Sequence, residues 1–179
     1  MKILAFAASS SRNSINKNLV TYATELLEGG IIDDTDIEII DTNDFEMPLY
    51  SADREMEGGV PDLAHLFYKK IGDADALLIS FAEHNGSYTA AFKNLYDWTS
   101  RIDMKVYQDK PVVMLATSIG PGGASRVLST AKESAPFFGA QVVADLSVPT
   151  FHQNFDLESG RINNAEIQTQ LESALAALR

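Results

Sequence analysis

The chain has 179 residues, 45% of them hydrophobic, so it is long enough to bury a full core, and we expect residues 1–179 to form a single domain. Its formal net charge of −11 and isoelectric point near 4.6 argue against non-specific binding to nucleic acid or to an anionic membrane. It has no cysteine, which excludes disulfides, thiolate catalysis and Cys-based metal sites and fits a cytoplasmic location.

Strand-like and helix-like segments alternate along the chain. Short apolar runs, most of them rich in Val, Ile and Leu, predict strands over 2–7, 37–41, 75–81, 111–117 and 141–148. Apolar residues at helical spacing predict a first helix that starts near Ile15 and stops at Gly29-Gly30, and further helices over 62–72, 88–101, 123–136 and 164–178. Asn163 is expected to cap the last helix, with Glu166 three residues later completing a capping box.

This alternation predicts an α/β fold with a doubly wound, five-stranded parallel sheet and helices on both faces. The flavodoxin-like strand order, 2-1-3-4-5, is the expected arrangement. Ligands of such sheets bind beyond the carboxyl ends of the strands, where the order reverses between strands 1 and 3. We therefore expect the loops after strands 1, 3 and 4 to meet in one crevice.

The loop after the first strand is rich in hydroxyl groups, and the chain has no acidic residue before Glu25. It reads Ala8-Ser9-Ser10-Ser11-Arg12-Asn13-Ser14-Ile15-Asn16. Its hydroxyls, the Asn16 amide and the N–H groups at the helix start suit a terminal phosphate, although a serine-rich turn with Ser14 as N-cap explains the same residues. The glycines of a dinucleotide fingerprint and the Gly-Lys-Ser/Thr of a P-loop are missing, which disfavours both of those folds.

The loops after strands 3 and 4 are predicted to line a flat heterocyclic ring. In Phe81-Ala82-Glu83-His84-Asn85-Gly86-Ser87-Tyr88, Gly86 permits close approach and His84 offers a face for stacking. In Thr117-Ser118-Ile119-Gly120-Pro121-Gly122-Gly123-Ala124, the glycines expose backbone N–H groups. The alternatives are a simple turn capped by Ser87 or Thr89 and a tight Gly/Pro connection. One phosphate pocket beside two such loops points to a mononucleotide cofactor such as FMN.

The hydroxyl-rich loop resembles that of the NAD(P)H-dependent FMN reductase family, the flavodoxin-like group that includes bacterial quinone, chromate and azo-dye reductases. The family pattern Gly-Ser-x-Arg-x-x-Ser-x-Asn is matched at Ser9, Ser14 and Asn16. Ala8 stands in place of the Gly and Ser11 in place of the Arg, with Arg12 one position later.

Other segments extend this resemblance over nearly the whole chain. His84 replaces the common Tyr of the family's Pro-Glu-Tyr-Asn-Gly-Ser segment, and the Thr-Ser-x-Gly-x-x-Gly-Gly turn is one residue shorter here. The segments that match are Pro48-Leu49-Tyr50, Ala82 to Ser87, Lys93-Asn94, Asp97-Trp98, Thr117 to Gly123, Phe155-Asp156 and Gly160-Arg161.

The resemblance implies an oxidoreductase with FMN as cofactor and NADPH or NADH as co-substrate. Hydride would pass to the flavin and then, in a ping-pong order, to a quinone, azo compound, flavin or similar small-molecule acceptor, with no catalytic protein residue required. It also implies a homodimer or homotetramer, with Tyr88, Trp98 and Phe151 as candidate interface residues, and no membrane insertion. The residues implied to bind the cofactor are Ser9, Ser11, Arg12, Ser14, Ile15, Asn16, Pro48, Leu49, Tyr50, Glu83, His84, Asn85, Gly86, Ser87, Ser118, Gly120, Gly122 and Gly123.

Two functions of other classes remain as alternatives. The first is a flavodoxin-like electron carrier, whose acidic surface would dock a redox partner. The second is a flavin-free interaction domain. A hydrolase is disfavoured because no Gly-x-Ser-x-Gly elbow is present, and a metal site is not expected because the three histidines lack ligand spacing.

Overall fold

The computed structural model describes all 179 residues and contains a five-stranded sheet flanked by helices. The strands are β1 (Lys2–Ala8), β2 (Asp36–Ile40), β3 (Ala76–Phe81), β4 (Glu83–His84), β5 (Ser87–Tyr88), β6 (Pro111–Thr117), β7 (Gln141–Val148), β8 (Phe155–Asp156) and β9 (Arg161–Ile162). The helices are α1 (Ile15–Leu26), α2 (Ala52–Gly58), α3 (Asp62–Asp73), α4 (Ala90–Thr99), α5 (Ser125–Ser134), α6 (Phe151–Asn154) and α7 (Ala165–Ala176). A π-helix at Leu27–Ile31 and 3-10 helices at Thr42–Phe45 and Ala135–Phe138 complete the regular structure.

The sheet has the order β2-β1-β3-β6-β7, and every neighbouring pair is parallel. Since β6 and β7 are the fourth and fifth predicted strands, the flavodoxin-like order 2-1-3-4-5 is confirmed. Ile3 of β1 pairs with Ile37 on one side and with Ala76 on the other. The order therefore reverses between β1 and β3, and the carboxyl ends of these strands and β6 lie side by side.

Two hydrophobic cores lie on opposite faces of the sheet. Successive side chains of a strand point to opposite faces, so Leu4 and Phe6 pack into the core beneath α3, α4 and α5. Ile3 and Ala5 pack into the core formed with α1 and α7. Because β1 is buried on both faces, its sequence is a continuous apolar run rather than an alternating one.

Several predicted helix ends shift by one or more residues. The cap of α7 is Asn164 and not Asn163: its side chain accepts from the backbone N–H groups of Glu166 and Ile167 at 3.1 and 3.3 Å. The first α-helix ends at Leu26 and continues as the π-helix, within which Gly30 adopts a φ of 104°. This left-handed conformation favours glycine and turns the chain toward β2.

Two short hairpins and the short helices α2 and α6 are not among the elements predicted from the sequence. The turn between β4 and β5 is Asn85-Gly86, with φ values of 53° and 79°, and this pair of positive angles is the signature of a type I′ hairpin turn. The predicted helix over 88–101 therefore begins only at Ala90, with Thr89 as its cap, and ends at Thr99. The second hairpin pairs β8 with β9. No helix in the chain is both long and apolar enough to cross a membrane.

Candidate functional site

A cleft of about 320 Å³ opens at the carboxyl end of the sheet, where three loops meet. These are loop 1 (residues 9–14), loop 2 (residues 82–89) and loop 3 (residues 118–124), which follow β1, β3 and β6. The lining residues are Ser9, Ser11, Asn13, Ser14, Ile15, Asn16, Ala82, Glu83, His84, Thr117, Ser118 and Ile119. The crevice expected from the strand order is thus present between the expected loops.

Loop 1 and the first turn of α1 present hydrogen-bond donors that no other part of the chain uses. The backbone N–H groups of Arg12, Asn13, Ile15 and Asn16 donate no hydrogen bond within the chain. Ser14 caps α1, since its Oγ accepts from the Lys17 N–H at 3.3 Å, and its own hydroxyl hydrogen stays free to donate. Free N–H groups and the positive end of a helix dipole make this end of the cleft suited to an anion.

Two threonines from other elements hold the backbone of loop 1 in place. Thr89 donates from Oγ1 to the Ala8 carbonyl at 3.0 Å, and Thr42 donates from Oγ1 to the Ser9 carbonyl. Both threonines are buried. From the sequence, Thr89 is only a possible cap and Thr42 carries no signal, because side-chain bonds between distant segments leave no local pattern.

Asn16 lies at the base of the cleft and joins three elements. Its Nδ2 donates to the Thr117 carbonyl at 3.1 Å, while its Oδ1 accepts from the Thr117 N–H at 3.1 Å and from the Ser80 hydroxyl at 2.8 Å. Only 2% of the residue is exposed. Its oxygen is fully used and one amide hydrogen remains, so its main contribution here is to fix the start of α1 against the ends of β3 and β6.

Arg12 lines a different cleft from the other residues of loop 1. It borders a neighbouring cavity beside α1 and the β8–β9 hairpin, together with Lys17, Tyr22 and Phe155. Its guanidinium makes no hydrogen bond or ion pair within the chain. The positive charge predicted for the phosphate pocket is thus at the edge of the cleft rather than among its lining residues.

Loop 2 is a hairpin fastened to the start of α5. The Glu83 carboxylate accepts from the backbone N–H of Val127 at 3.0 Å, which satisfies a free donor in the first turn of α5. Glu83 and His84 line the cleft, and Glu83 is the only carboxylate that does so. Asn85, Gly86 and Ser87 form the tip of the hairpin and lie outside the lining residues.

Loop 3 is held by the segment that follows β7. The Thr150 and Phe151 N–H groups donate to the carbonyls of Gly120 and Ser118 at 2.9 and 3.0 Å. Ser118 and Ile119 line the cleft, whereas Gly120, Gly122 and Gly123 do not. The N–H groups of Ile119, Gly120 and Gly122 donate to nothing within the chain, so the loop keeps the free donors that its glycines predicted.

The segment Pro48-Leu49-Tyr50 lies outside this cleft. Asn94 and Trp98 of α4 hold it: the Trp98 indole donates to the Pro48 carbonyl at 2.7 Å, and the Asn94 side chain accepts from the Tyr50 N–H at 2.8 Å. Leu49 borders a second cleft of about 410 Å³. Ser10 lines that cleft as well, so loop 1 separates the two cavities.

The three aromatic residues proposed for an interface do not share a surface. Trp98 and Phe151 are 1% and 0% exposed, so they belong to the cores and cannot contact a partner. Tyr88 is half-buried and packs on Phe81 and Phe92. Of these candidates, the interface prediction therefore stays open only for Tyr88.

The donor set of the cleft fits a flavin mononucleotide. Hydroxyls and free N–H groups crowd loop 1, which suits the phosphate, and no carboxylate lies among them. Loops 2 and 3 add His84 and the free backbone N–H of Ile119, which suit the edge of a heterocycle. Loop 1 supplies one phosphate pocket within this cleft, as a mononucleotide requires.

Comparison with known sequences agrees with this chemistry. Residues 1–153 match the model of a protein family described as NADPH-dependent FMN reductase. An NAD(P)H:quinone oxidoreductase of Solanum tuberosum is 32% identical over 123 residues, which cover 69% of this chain and 61% of that protein. An NAD(P)H-dependent FMN reductase of Pseudomonas aeruginosa is 26% identical over 181 residues, which cover 100% of this chain and 94% of the relative. The matched region spans only about 61% of the length of the first of these relatives.

Comparison with solved structures supports the fold. The flavoenzyme NAD(P)H:(acceptor) oxidoreductase FerB of Paracoccus denitrificans superposes with a TM-score of 0.79 at 21% identity, covering 99% of this chain and 94% of that one. A flavodoxin from Pseudomonas aeruginosa gives a TM-score of 0.60 at 14% identity, covering 99% of both chains. Both are flavodoxin-like in architecture, as is the sheet described above.

Proposed function

Because this chain belongs to the family of NADPH-dependent FMN reductases, we propose that it binds FMN in the three-loop cleft and transfers electrons from NAD(P)H to a small acceptor, a quinone in the first instance. The observation that carries the proposal is the convergence of free donors from loops 1 and 3 on one cleft. The names of the curated relatives favour a quinone as acceptor. The overall reaction is NAD(P)H + H⁺ + quinone → NAD(P)⁺ + hydroquinone.

The protein contributes binding, orientation and exclusion of water. Ser9, Ser11, Ser14 and the N–H groups at the start of α1 hold the phosphate, while loops 2 and 3 hold the ring. FMN would supply the two-electron chemistry, so no side chain is required to act as acid, base or nucleophile. The nicotinamide and the acceptor use the open side of the cleft in turn, which gives a ping-pong order.

A self-associated form is part of this proposal. Leu49, Met56 and Ile119 are 67%, 86% and 70% exposed, and Leu49 and Ile119 border the two clefts. Large apolar side chains at the mouth of a binding site favour cover by another subunit. Sedimentation of the FMN-loaded protein measures this directly, and a monomer at all concentrations would contradict it.

The test of the function is an anaerobic visible spectrum of the FMN-reconstituted protein before and after addition of NADPH or NADH. Rapid bleaching of a bound flavin, followed by reoxidation on addition of a quinone, is the expected result. A bound flavin that stays oxidised would identify an electron carrier instead. A protein that binds no flavin would overturn the proposal and favour an interaction domain.

A further inference from the structure

The Arg126 side chain is an unpaired cation in an electrostatically unfavourable position. It occupies the first turn of α5, where the helix dipole opposes a cation. Its guanidinium forms no ion pair and no hydrogen bond, even though the Glu83 carboxylate binds the N–H of the next residue, Val127. Apart from Arg12 and Arg161, every other Lys and Arg side chain has a partner within the chain.

The Arg126 side chain lies against the tip of loop 2. A Cβ added at Gly86 would be 3.7 Å from Arg126 Cδ and 3.8 Å from its Nη1, so the guanidinium packs on the hairpin turn. Gly86 follows the cleft-lining His84 by two residues. Arg126 is therefore a free cation beside the loop 2 end of the cleft, and Arg12 is a free cation beside the loop 1 end.

The negative charge of the protein favours a local cation at the site where a polyanionic co-substrate binds. The chain carries a net charge of −11, which repels a dinucleotide that bears a diphosphate and, in NADPH, a further phosphate. The hydroxyls of loop 1 and the N–H groups at the start of α1 serve the flavin phosphate in the proposed function. This leaves the loop 2 end of the cleft without an assigned anion, although the Arg126 guanidinium lies beside it, on the hairpin tip.

We propose that Arg126 binds a phosphate group of the nicotinamide nucleotide and thereby determines the affinity for this co-substrate. The proposal rests on the proposed function, since it assumes that the nicotinamide enters the three-loop cleft. A guanidinium suits the role because it binds phosphate oxygens in a bidentate manner. The unfavourable dipole interaction of the cation is then offset when the nucleotide binds.

The test compares Arg126→Gln with Arg161→Gln, each loaded with FMN. Arg161 is the matched control because it is also an arginine without a partner, but it lies on the β8–β9 hairpin, whereas Arg126 lies against loop 2. The dissociation constants of NADP⁺ and of NAD⁺ are measured by calorimetry, which needs no turnover. We expect Arg126→Gln to weaken NADP⁺ binding by about 10- to 100-fold, the usual effect of losing a charge-assisted contact, and Arg161→Gln to change it less than about twofold.

Comparison of NADP⁺ with NAD⁺ identifies which phosphate group Arg126 binds. Equal weakening of NADP⁺ and NAD⁺ assigns Arg126 to the diphosphate, and weakening of NADP⁺ alone assigns it to the 2′-phosphate. Arg126→Lys is expected to recover part of the affinity, and the FMN dissociation constant should be unchanged in every variant.

Unchanged NADP⁺ binding by Arg126→Gln, with the wild-type protein binding normally, would overturn this inference alone. If the wild-type FMN complex neither binds NADP⁺ nor is reduced by NADPH, the proposed function itself fails, and this inference fails with it.

Discussion

Asn16 and Thr117 form a reciprocal pair of hydrogen bonds, each side donating to the other at 3.1 Å, across 101 residues of sequence. The pair ties the first turn of α1 to the end of β6, and Ser80 joins it from β3. All three residues are buried, at 2%, 1% and 0% exposure. The relative position of loops 1 and 3, and with it the shape of the cleft, therefore depends on one amide side chain.

Asn16→Ala should destabilise the protein by about 2 to 4 kcal/mol, because it leaves the buried N–H and carbonyl of Thr117 without partners. Urea unfolding measures the loss, and FMN affinity should fall with it because loops 1 and 3 are no longer held together. Asn18→Ala is the control, since Asn18 lies on the same helix and its side chain makes no hydrogen bond. Equal stability of the two variants would show that the pair is not a structural anchor.

Ser11→Ala should weaken FMN binding by about three- to tenfold, the effect of losing one hydrogen bond to a phosphate. Ser10→Ala is the matched control, because Ser10 lines the second cleft on the other side of loop 1. Fluorescence titration of the apoprotein with FMN compares the two. The phosphate assignment for loop 1 would be rejected if both variants bound FMN as tightly as wild type.

Gly123→Ala should destabilise the protein by at least about 2 kcal/mol. Its φ of 56° is left-handed, and an added Cβ would lie 2.3 Å from Ser147 Oγ and 3.0 Å from the Pro149 nitrogen. Gly122→Ala is the control: nothing lies within 4 Å of its added Cβ, so its stability should stay within about 0.5 kcal/mol of wild type. Equilibrium unfolding that ranks the two variants the other way round would contradict this packing.

Glu83→Ala should cost about 1 kcal/mol of stability, since the carboxylate caps the first turn of α5 by accepting from the Val127 N–H at 3.0 Å. The same substitution frees loop 2 from α5 and should weaken FMN binding. Glu83→Gln keeps an oxygen acceptor and should therefore lose less stability in urea unfolding and less FMN affinity in fluorescence titration. If Glu83→Gln were as damaging as Glu83→Ala, the charge, and not the hydrogen bond, would be what matters.

The ion pair of Lys17 and Asp41 gives the protein a pH-dependent increment of stability. The Lys17 ammonium, 2.7 Å away, and the Asn43 N–H hold the pKa of the Asp41 carboxyl below its usual value of 3.8. A carboxyl whose pKa is lowered by folding stabilises the folded state above its unfolded pKa, and this increment is lost as the pH falls through the lowered value.

Asp41→Asn should therefore be less stable than wild type at pH 7, by less than about 1 kcal/mol because both side chains are partly exposed to solvent. The difference should shrink as the pH is lowered past 3.8. Unfolding curves of both proteins at a series of pH values measure it. A difference that is independent of pH would show that ionisation of Asp41 is not its source.

Local patterns were enough to predict the sheet and the loops that carry the site. The apolar runs of β1, β3 and β6 are buried on both faces, and the hydroxyl-rich and glycine-rich segments follow them directly. Local patterns were not enough to predict the short elements, because a two-residue strand is too short to show a hydrophobic periodicity. The Asn85-Gly86 pair was the signal for the β4–β5 hairpin, but its flanking strands are too short to reveal it.

Sequence patterns predict the parallel sheet and its three loops, because burial on both faces demands continuous apolar runs and polar residues collect where the strands end. The strand order was expected from the usual arrangement of such a fold and not from these patterns. What each polar residue does at the carboxyl end of the sheet is visible only in the folded structure. The Asn16 amide bonds to the Thr117 backbone, the Glu83 carboxylate bonds to the first turn of α5, and Arg12 lies outside the cleft. These bonds join segments far apart in the chain, and the direction of a side chain depends on neighbours that only folding brings together.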